Sequence, residues 1–400
     1  MTEWREVCLG DYAKVLGGYA FKSTDFLPYG DYPVIKIKNI AKGYLDMSEC
    51  QYISSSIAAQ ASRFKAEYGD ILIAMTGSHI TQPSSMVGRV AKYNIHVESY
   101  INQRVGKVIS IDKSLLDTNF LYYFMTCEDT TYSLANIASG SAQANISSEQ
   151  IESLELLLPD IDEQKAIAEV LSSLDDKIDL LTRQNKTLED LAQAFFRKWF
   201  VEDADEKLKK YPLSELMVIQ NGFAFRSRDY QDAGKYKIVT IKNVQDGFID
   251  TSGTTFLNQL PVGMPDYVLL TIGDVLISLT GNVGRVGIVV EDNLLLNQRV
   301  AKISPYNPEY LPFLYFYFRN ETTREYLINL AHGTAQANLS PIETLKTEVS
   351  FSKTLIKKYS ELFMPMYQKI IKNKQQIIVL QKLRDTLLPK LISGEVRVKL

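Results

Sequence analysis

The sequence predicts an α/β chain in which two copies of one mixed domain alternate with two long helices that pair antiparallel, a pseudo-two-fold coiled-coil arrangement. Three observations carry this. A set of short motifs in the first half returns, in the same order, in the second. Two stretches 192 residues apart repeat apolar positions at alternating steps of four and three. Those two stretches are oppositely charged. The resulting division is a first domain over 1–157, a central helix over 158–210, a second domain over 211–349 and a C-terminal helix over 350–400.

The repeat decides the architecture. Gly18-Tyr19-Ala20-Phe21-Lys22-Ser23 returns as Gly222-Phe223-Ala224-Phe225-Arg226-Ser227, and Ile37-Lys38-Asn39-Ile40 as Ile241-Lys242-Asn243-Val244. Gly69-Asp70-Ile71-Leu72-Ile73, closing at Thr76-Gly77, returns as Gly273-Asp274-Val275-Leu276-Ile277, closing at Thr280-Gly281. Val87-Gly88-Arg89 matches Val283-Gly284-Arg285, and Asn102-Gln103-Arg104-Val105 matches Asn297-Gln298-Arg299-Val300. Gly140-Ser141-Ala142-Gln143-Ala144-Asn145-Ile146-Ser147 matches Gly333-Thr334-Ala335-Gln336-Ala337-Asn338-Leu339-Ser340. The offset falls from 204 to 192 through small insertions in the first copy, chiefly near 78–85.

Within each domain, short apolar runs such as 32–37 and 71–74 read as strands. The aromatic-rich runs 119–127 and 310–318 fit helix or strand, and the pattern does not choose between them. Glycine-rich ends read as loops.

The central helix follows. Ile167, Leu171, Leu174, Ile178, Leu181, Leu188, Ala192, Phe195 and Trp199 form an apolar seam interrupted by Asn185. No Gly or Pro lies between Pro159 and Pro212, so residues 163–200 can run as one helix of roughly 55 Å. Shifted by 192, the seam becomes Tyr359, Phe363, Met366, Ile370, Asn373, Ile377, Leu380, Leu387 and Leu391, with Arg384 in the place of Ala192. Residues 158–210 hold 9 Lys/Arg against 13 Asp/Glu, and residues 351–400 hold 11 against 3, so the two attract. Setting Asn185 opposite Asn373 brings Phe195 to Phe363, Trp199 to Tyr359, Leu171 to Leu387 and Leu181 to Ile377, with only Leu174 against Arg384 awkward. Pro365 is expected to kink or delay the second helix.

Composition bounds the class. The 400 residues are 46% hydrophobic, as in a folded soluble protein, and no run of about eighteen apolar residues marks a membrane span. The N-terminus has no signal-peptide core, and Cys8, Cys50 and Cys127 lack metal spacing, which together point to the reducing cytoplasm. The net charge of −3, and 11 Lys/Arg against 14 Asp/Glu over 211–349, mean that any nucleic-acid face must come from local clustering.

Polar repeats supply that candidate face. Lys22, Ser23, Lys38, Asn39, Thr76, Arg89, Gln103, Arg104, Ser141, Gln143 and Asn145 are of types that bond phosphates and base edges. Their counterparts are Arg226, Ser227, Lys242, Asn243, Thr280, Arg285, Gln298, Arg299, Thr334, Gln336 and Asn338, and Ser78, His79 and Asn282 sit beside them. The same residues also build turns and satisfy buried backbone groups, and repetition favours shared structure. Readers of different sequences should differ at base contacts, which directs attention to 78–86, 128–138, Asn282 and 320–331. Catalytic signatures are missing: there is no Gly-Lys-Ser/Thr phosphate loop, and Gly281, Gly284 and Gly287 are wrongly spaced for a dinucleotide fingerprint. His79, His96 and His332 lie far apart, and Asn307-Pro308-Glu309-Tyr310 lacks the second proline of an amino-methyltransferase motif.

With these motifs in order, the chain resembles the specificity subunit of type I restriction–modification systems. The resemblance spans essentially all 400 residues and includes the helix segments 191–200 and 383–395. It implies that each domain is a target-recognition domain reading one half of a split double-stranded DNA target. It further implies that the helices set the gap and dock two modification subunits, which carry S-adenosylmethionine and methylate adenine, and through which restriction subunits join. The chain itself would hold no cofactor, no metal and no catalytic residue, and would meet no membrane. A methyltransferase, a standalone DNA-binding protein and a pure scaffold are the competing readings; the first would need a cofactor loop that is missing.

Overall fold

The computed structural model describes residues 3–41, 43–79, 86–140, 143–203, 210–331, 338–350 and 352–399. The chain forms two compact units, Met1–Lys177 with Leu380–Leu400, and Ile178–Val379, so each long helix contributes a part to both. Among the described residues, no helix is long and apolar enough to cross a membrane.

In the first unit a four-stranded antiparallel sheet runs in the order Ala13–Gly17, Val105–Ser110, Ile71–Ala74, Val90–Lys92. Strand Ile71–Ala74 is buried on both faces, and its alternation divides it between two cores. Ile71 and Ile73 enter one with Phe120, Leu121 and Leu134; Leu72 and Ala74 enter another with Ile35, Tyr93 and Ile101. A second sheet, Gln51–Ile53, Tyr32–Ile35, Ser99–Ile101, Lys65–Ala66, has one parallel pairing, between Tyr32–Ile35 and Ser99–Ile101.

The second unit repeats this plan. Met217–Asn221, Val300–Pro305, Val275–Ser278 and Val286–Ile288 lie in the same order, with Gly247–Phe248 added at the edge. Val275 and Ile277 face one core and Leu276 the other. Tyr236–Val239 again pairs parallel, with Leu294–Leu296.

Both aromatic runs are helices, Thr118–Thr126 and Leu311–Arg319. The Asp117 carboxylate caps the first, accepting from the amides of Asn119 and Phe120 at 2.9 Å. Six consecutive residues, Phe120 to Met125, are buried, an unbroken apolar run that suits a buried strand as well as a buried helix.

The long helices are Ile161–Arg197, continued by a wider turn over Lys198–Glu202, and Lys353–Ile392. Pro365 does not delay the second, which starts twelve residues earlier at Lys353. Its ring is on the exposed side, where water can satisfy the freed carbonyl of Glu361.

In the first unit, Ile167 and Leu171 are fully buried against Leu387 and Leu391. Leu174 is half-buried, and Arg384 turns its guanidinium away to donate to Asp175 Oδ1 at 2.8 Å. The carboxyl-terminal segment returns to this helix: Arg397 pairs with the buried Glu163, which also accepts from Trp4 Nε1 at 3.2 Å.

In the second unit, Asn373 Nδ2 donates to Asn185 Oδ1 at 2.8 Å and to Gln184 Oε1 at 2.9 Å. Phe195 meets Phe363 at 5.6 Å between ring centroids, and Trp199 meets Tyr359 at 6.1 Å. Leu181 and Ile370 are buried; Ile178, Leu188, Met366 and Ile377 are half-buried. Phe195 departs from the seam drawn from the sequence: it stays 38% exposed while Phe196 is buried. The cause is a third partner, since the helix here also packs on Leu311–Arg319, with Phe196 against Phe313 and Gln193 Nε2 donating to the carbonyl of Phe316.

Candidate nucleic-acid interface

Two repeated motifs far apart in sequence cross in each domain. In the first, Tyr19 N donates to the carbonyl of Ile101 and Gln103 N to that of Tyr19, both at 2.9 Å. In the second, Phe223 N donates to Leu296 at 2.8 Å and Gln298 N to Phe223 at 3.1 Å. The glycines are required by this approach: a Cβ at Gly18 would lie 2.3 Å from the Asn102 carbonyl oxygen, and at Gly222 2.2 Å from that of Asn297. The crossing brings exposed Lys22 and Ser23 to one edge with exposed Gln103 and Arg104, and Arg226 and Ser227 with Gln298 and Arg299.

Two more loops join the same edge. Met75 N donates to the Arg104 carbonyl, and Met75 O accepts from Ile146 N. Leu279 takes the same place between Arg299 and Leu339. Exposed Gln143 and Asn338, and exposed Asn282, therefore lie with the motif edge in their own domains. His79 contacts the Gly140 carbonyl at 2.6 Å, and the Ser78 carbonyl accepts from Val87 N. Ser141, Thr334, Gln336 and most of 78–86 lie outside the described residues.

Several candidates are occupied structurally. Asn39 is 2% exposed: its Oδ1 accepts from Lys36 N at 2.9 Å and its Nδ2 donates to the Asp46 carbonyl at 2.8 Å. Asn243 does the same between Thr240 and Asp250. These asparagines hold a turn, and neither amide is offered to a base edge. Thr76 donates to Asn145 Oδ1 at 2.8 Å, whose Nδ2 donates to the Gln143 carbonyl, so this pair ties two loops together. Half-buried Arg89 donates to the carbonyls of Met86 and Ile37, and Arg285 to Gln245 Oε1. Burial holds the Arg89 guanidinium below its ordinary range. Lys38 and Lys242 are exposed, the former beside Glu49 at 3.2 Å. Segments 128–138 and 320–331 are largely helix, Glu128–Ile137 and Glu321–Ala331.

Lys36 lies outside the repeated motifs, with Thr240 at its equivalent position. Its ammonium lies 3.5 Å from the centroid of the Phe26 ring, and burial, with Lys38 nearby, holds it below the usual lysine range. The second domain has Thr240 there, whose hydroxyl donates to Asn243. The usable signal was the mismatch, Lys36-Ile37-Lys38 against Thr240-Ile241-Lys242. Among the described residues, no cluster of His, Cys, Asp and Glu could hold a metal ion.

Comparison with known proteins agrees over the whole chain. The family model for the type I restriction modification DNA specificity domain matches residues 1–190 and again 205–350. The MjaIX type I restriction enzyme specificity subunit of Methanocaldococcus jannaschii is 26% identical, covering 100% of this chain and 97% of its own. The HindI specificity subunit of Haemophilus influenzae is 22% identical, with 99% and 100% covered. A solved type I S subunit from M. genitalium has the same fold, with a TM-score of 0.62, 19% identity, and 98% and 96% of the two chains covered. A duplicated domain, a helix after each copy and two matches to one family model lead to one assignment: the chain belongs to the type I restriction–modification specificity family.

Proposed function

We propose that this chain is the DNA-reading, non-catalytic member of a type I restriction–modification complex, with each domain reading one half of a split double-stranded target. The observation that carries the reading is the paired display of Lys22-Ser23 with Gln103-Arg104 and of Arg226-Ser227 with Gln298-Arg299 at equivalent edges. Cations position such an edge on phosphates, and amides and guanidinium groups suit base edges. The net charge of −3 then restricts contact to these edges.

The helices complete the proposal. Their pairing supports a stiff spacer that sets the gap between half-sites and docks two modification subunits, with restriction subunits joining through those. S-adenosylmethionine and the methylation of adenine belong, in this reading, to the modification subunits in the cytoplasm.

The test is to express the chain with its modification subunits and map methylated adenines across the host genome. A split motif with two short halves and a constant gap is expected, and removing one heptad from each helix should shorten that gap. A continuous motif would remove the second domain from DNA reading. An assembled complex that methylates nothing would leave the scaffold reading.

A further inference from the structure

The second domain carries an apolar projection that the first lacks. Between strand Phe256–Leu257 and the turn Asp266–Val268, the chain makes a loop whose tip is Leu260-Pro261-Val262. Val262 is fully exposed and Leu260 is 39% exposed. Leaving two aliphatic side chains in water opposes the hydrophobic effect.

The loop is nonetheless fastened along the motif stretch 221–231 at three points. Asn258 Nδ2 donates to Gln231 Oε1 at 2.6 Å, and Tyr267 OH donates to the Asn221 carbonyl at 3.1 Å. Met264 packs with Phe225 on one small core. The amide of Met264 also closes back on the Pro261 carbonyl, so the tip is a built turn. The same motif stretch bears exposed Arg226 and Ser227. An aliphatic tip is therefore mounted on the same stretch that carries a cation of the candidate DNA edge.

The first domain has a different element in this place. The shared offset of 204 maps 258–264 onto 54–60, where helix Ser55–Gln60 packs Ala58 into a core with Phe21. The exposed residues of that segment are small or polar: Ser55, Ser56, Ala59 and Gln60.

We propose that Leu260-Pro261-Val262 is a wedge that enters the DNA at one base step, unstacking it while Arg226 holds the adjoining phosphate. Aliphatic and proline side chains do this in proteins that kink a duplex. A three-residue tip is far smaller than the roughly 800 Å² that each partner gives to a stable protein interface, which favours a base step over a protein docking surface. The inference rests on the DNA-reading assignment and adds an asymmetry to it: beyond the target adenines that the modification subunits must flip out, only the half-site under the second domain is unstacked at a further step.

The test uses the chain assembled with its modification subunits on a duplex carrying the mapped split target, with 2-aminopurine placed at successive steps of each half. Outside the target adenines and their neighbours, which base flipping disturbs in either half, the fluorescence should rise at one step in the second domain's half and at none in the other. Leu260→Ser with Val262→Ser should abolish the rise and weaken binding roughly tenfold, while Val262→Leu keeps both. Arg226→Ala should weaken binding and flatten its salt dependence, with the rise intact at saturation. A complex that binds its target with no rise outside the target adenines and their neighbours in either half overturns the wedge alone, as does a Ser/Ser variant that behaves like wild type. A Ser/Ser variant that assembles poorly with the modification subunits, but binds DNA normally in the fraction that does assemble, makes the tip a protein contact and overturns the wedge. A complex that binds no DNA overturns the DNA-reading assignment and the wedge together.

Discussion

Replacing Asn185 and Asn373 together by leucine should make the protein more stable, and replacing either one alone should not. Asn373 is 1% exposed and Asn185 5%. Asn373 Nδ2 reaches both Asn185 Oδ1 and Gln184 Oε1, while Asn373 Oδ1 has no hydrogen-bond partner. Two buried hydrogen bonds contribute about 1 kcal/mol each, and one orphaned acceptor costs about 1–3 kcal/mol. The polar pair is therefore close to neutral in net terms. Asn185→Leu alone removes an acceptor and leaves Asn373 less satisfied, a loss of about 1–3 kcal/mol. The double variant removes the orphan and buries two aliphatic side chains at about 1.5–3 kcal/mol each. Offsetting the lost bonds and an imperfect fit, a gain of about 2–4 kcal/mol is expected. Urea unfolding followed by far-UV circular dichroism measures it. A double variant with a lower midpoint than the wild type would refute the reasoning and make the amide pair a true source of stability. If the gain appears, the asparagines are kept for register, the best-attested use of a buried polar pair in a helix seam. Cysteines at 181 and 377 would then cross-link less completely in the leucine background.

Three further outcomes follow from the same geometry. Gly222→Ala should disrupt the second domain's motif crossing, because its Cβ falls 2.2 Å from the Asn297 carbonyl; thermal unfolding should shift down and that half of the methylation motif should become degenerate. Asn243→Ala should destabilise by about 1–3 kcal/mol by freeing Thr240 N and the Asp250 carbonyl, whereas Arg299→Ala should leave stability unchanged and reduce the salt slope of DNA binding by about 1; equal melting points for the two variants would contradict this division. Tyr359→Phe should cost about 1 kcal/mol at neutral pH, since Tyr359 OH donates to the Ala192 carbonyl at 2.8 Å. Burial holds that phenol well above its ordinary range, so only the unfolded chain ionises it above pH ~10, and the wild type loses about 1.4 kcal/mol per pH unit relative to the variant there; the two stability curves should cross roughly one unit above pH 10, and a constant gap would refute it.

Much of the architecture was legible because it is written twice or periodically. The seam at steps of four and three locates both long helices, and the lone Asn in each indicates the register that Asn185 and Asn373 adopt. What escaped was every place where a third element intrudes. Phe195 belongs to a two-helix seam by period, yet Phe196 is buried because helix Leu311–Arg319 lies on the other side. The aromatic helices were ambiguous because a short unbroken run of apolar residues fits a buried strand as well as a buried helix. Glu163 and Arg397 pair across 234 positions with no repeat to mark them. At the candidate site, residue type pointed to loops that share one edge and did not separate the exposed Gln103 and Arg104 from Asn39, whose amide is consumed by its own turn.

That division has a physical basis which bears on how, in the proposed reading, two such domains would read different DNA. In that reading a residue present in both copies would have to suit two different targets, so it would be selected for what the copies share, which is backbone. Asn39 and Asn243 close the same turn, Gly18 and Gly222 admit the same crossing strand, and Asp70 and Asp274 pair with Lys107 and Lys302 at 2.5 and 2.8 Å. Discrimination must then reside where equivalent positions differ in chemistry while the backbone around them is held constant. Lys36 against Thr240 is one such place, with the turn beneath it closed by the same asparagine in both domains. The segment after Gln51–Ile53 in one copy and Phe256–Leu257 in the other is another: a packed helix in the first and a projecting aliphatic tip in the second, both mounted on the same motif. The repeated residues thus form the mount and the unrepeated ones the reading surface, so exchanging 258–264 for 54–60 should alter one half-site while leaving the fold of the domain intact.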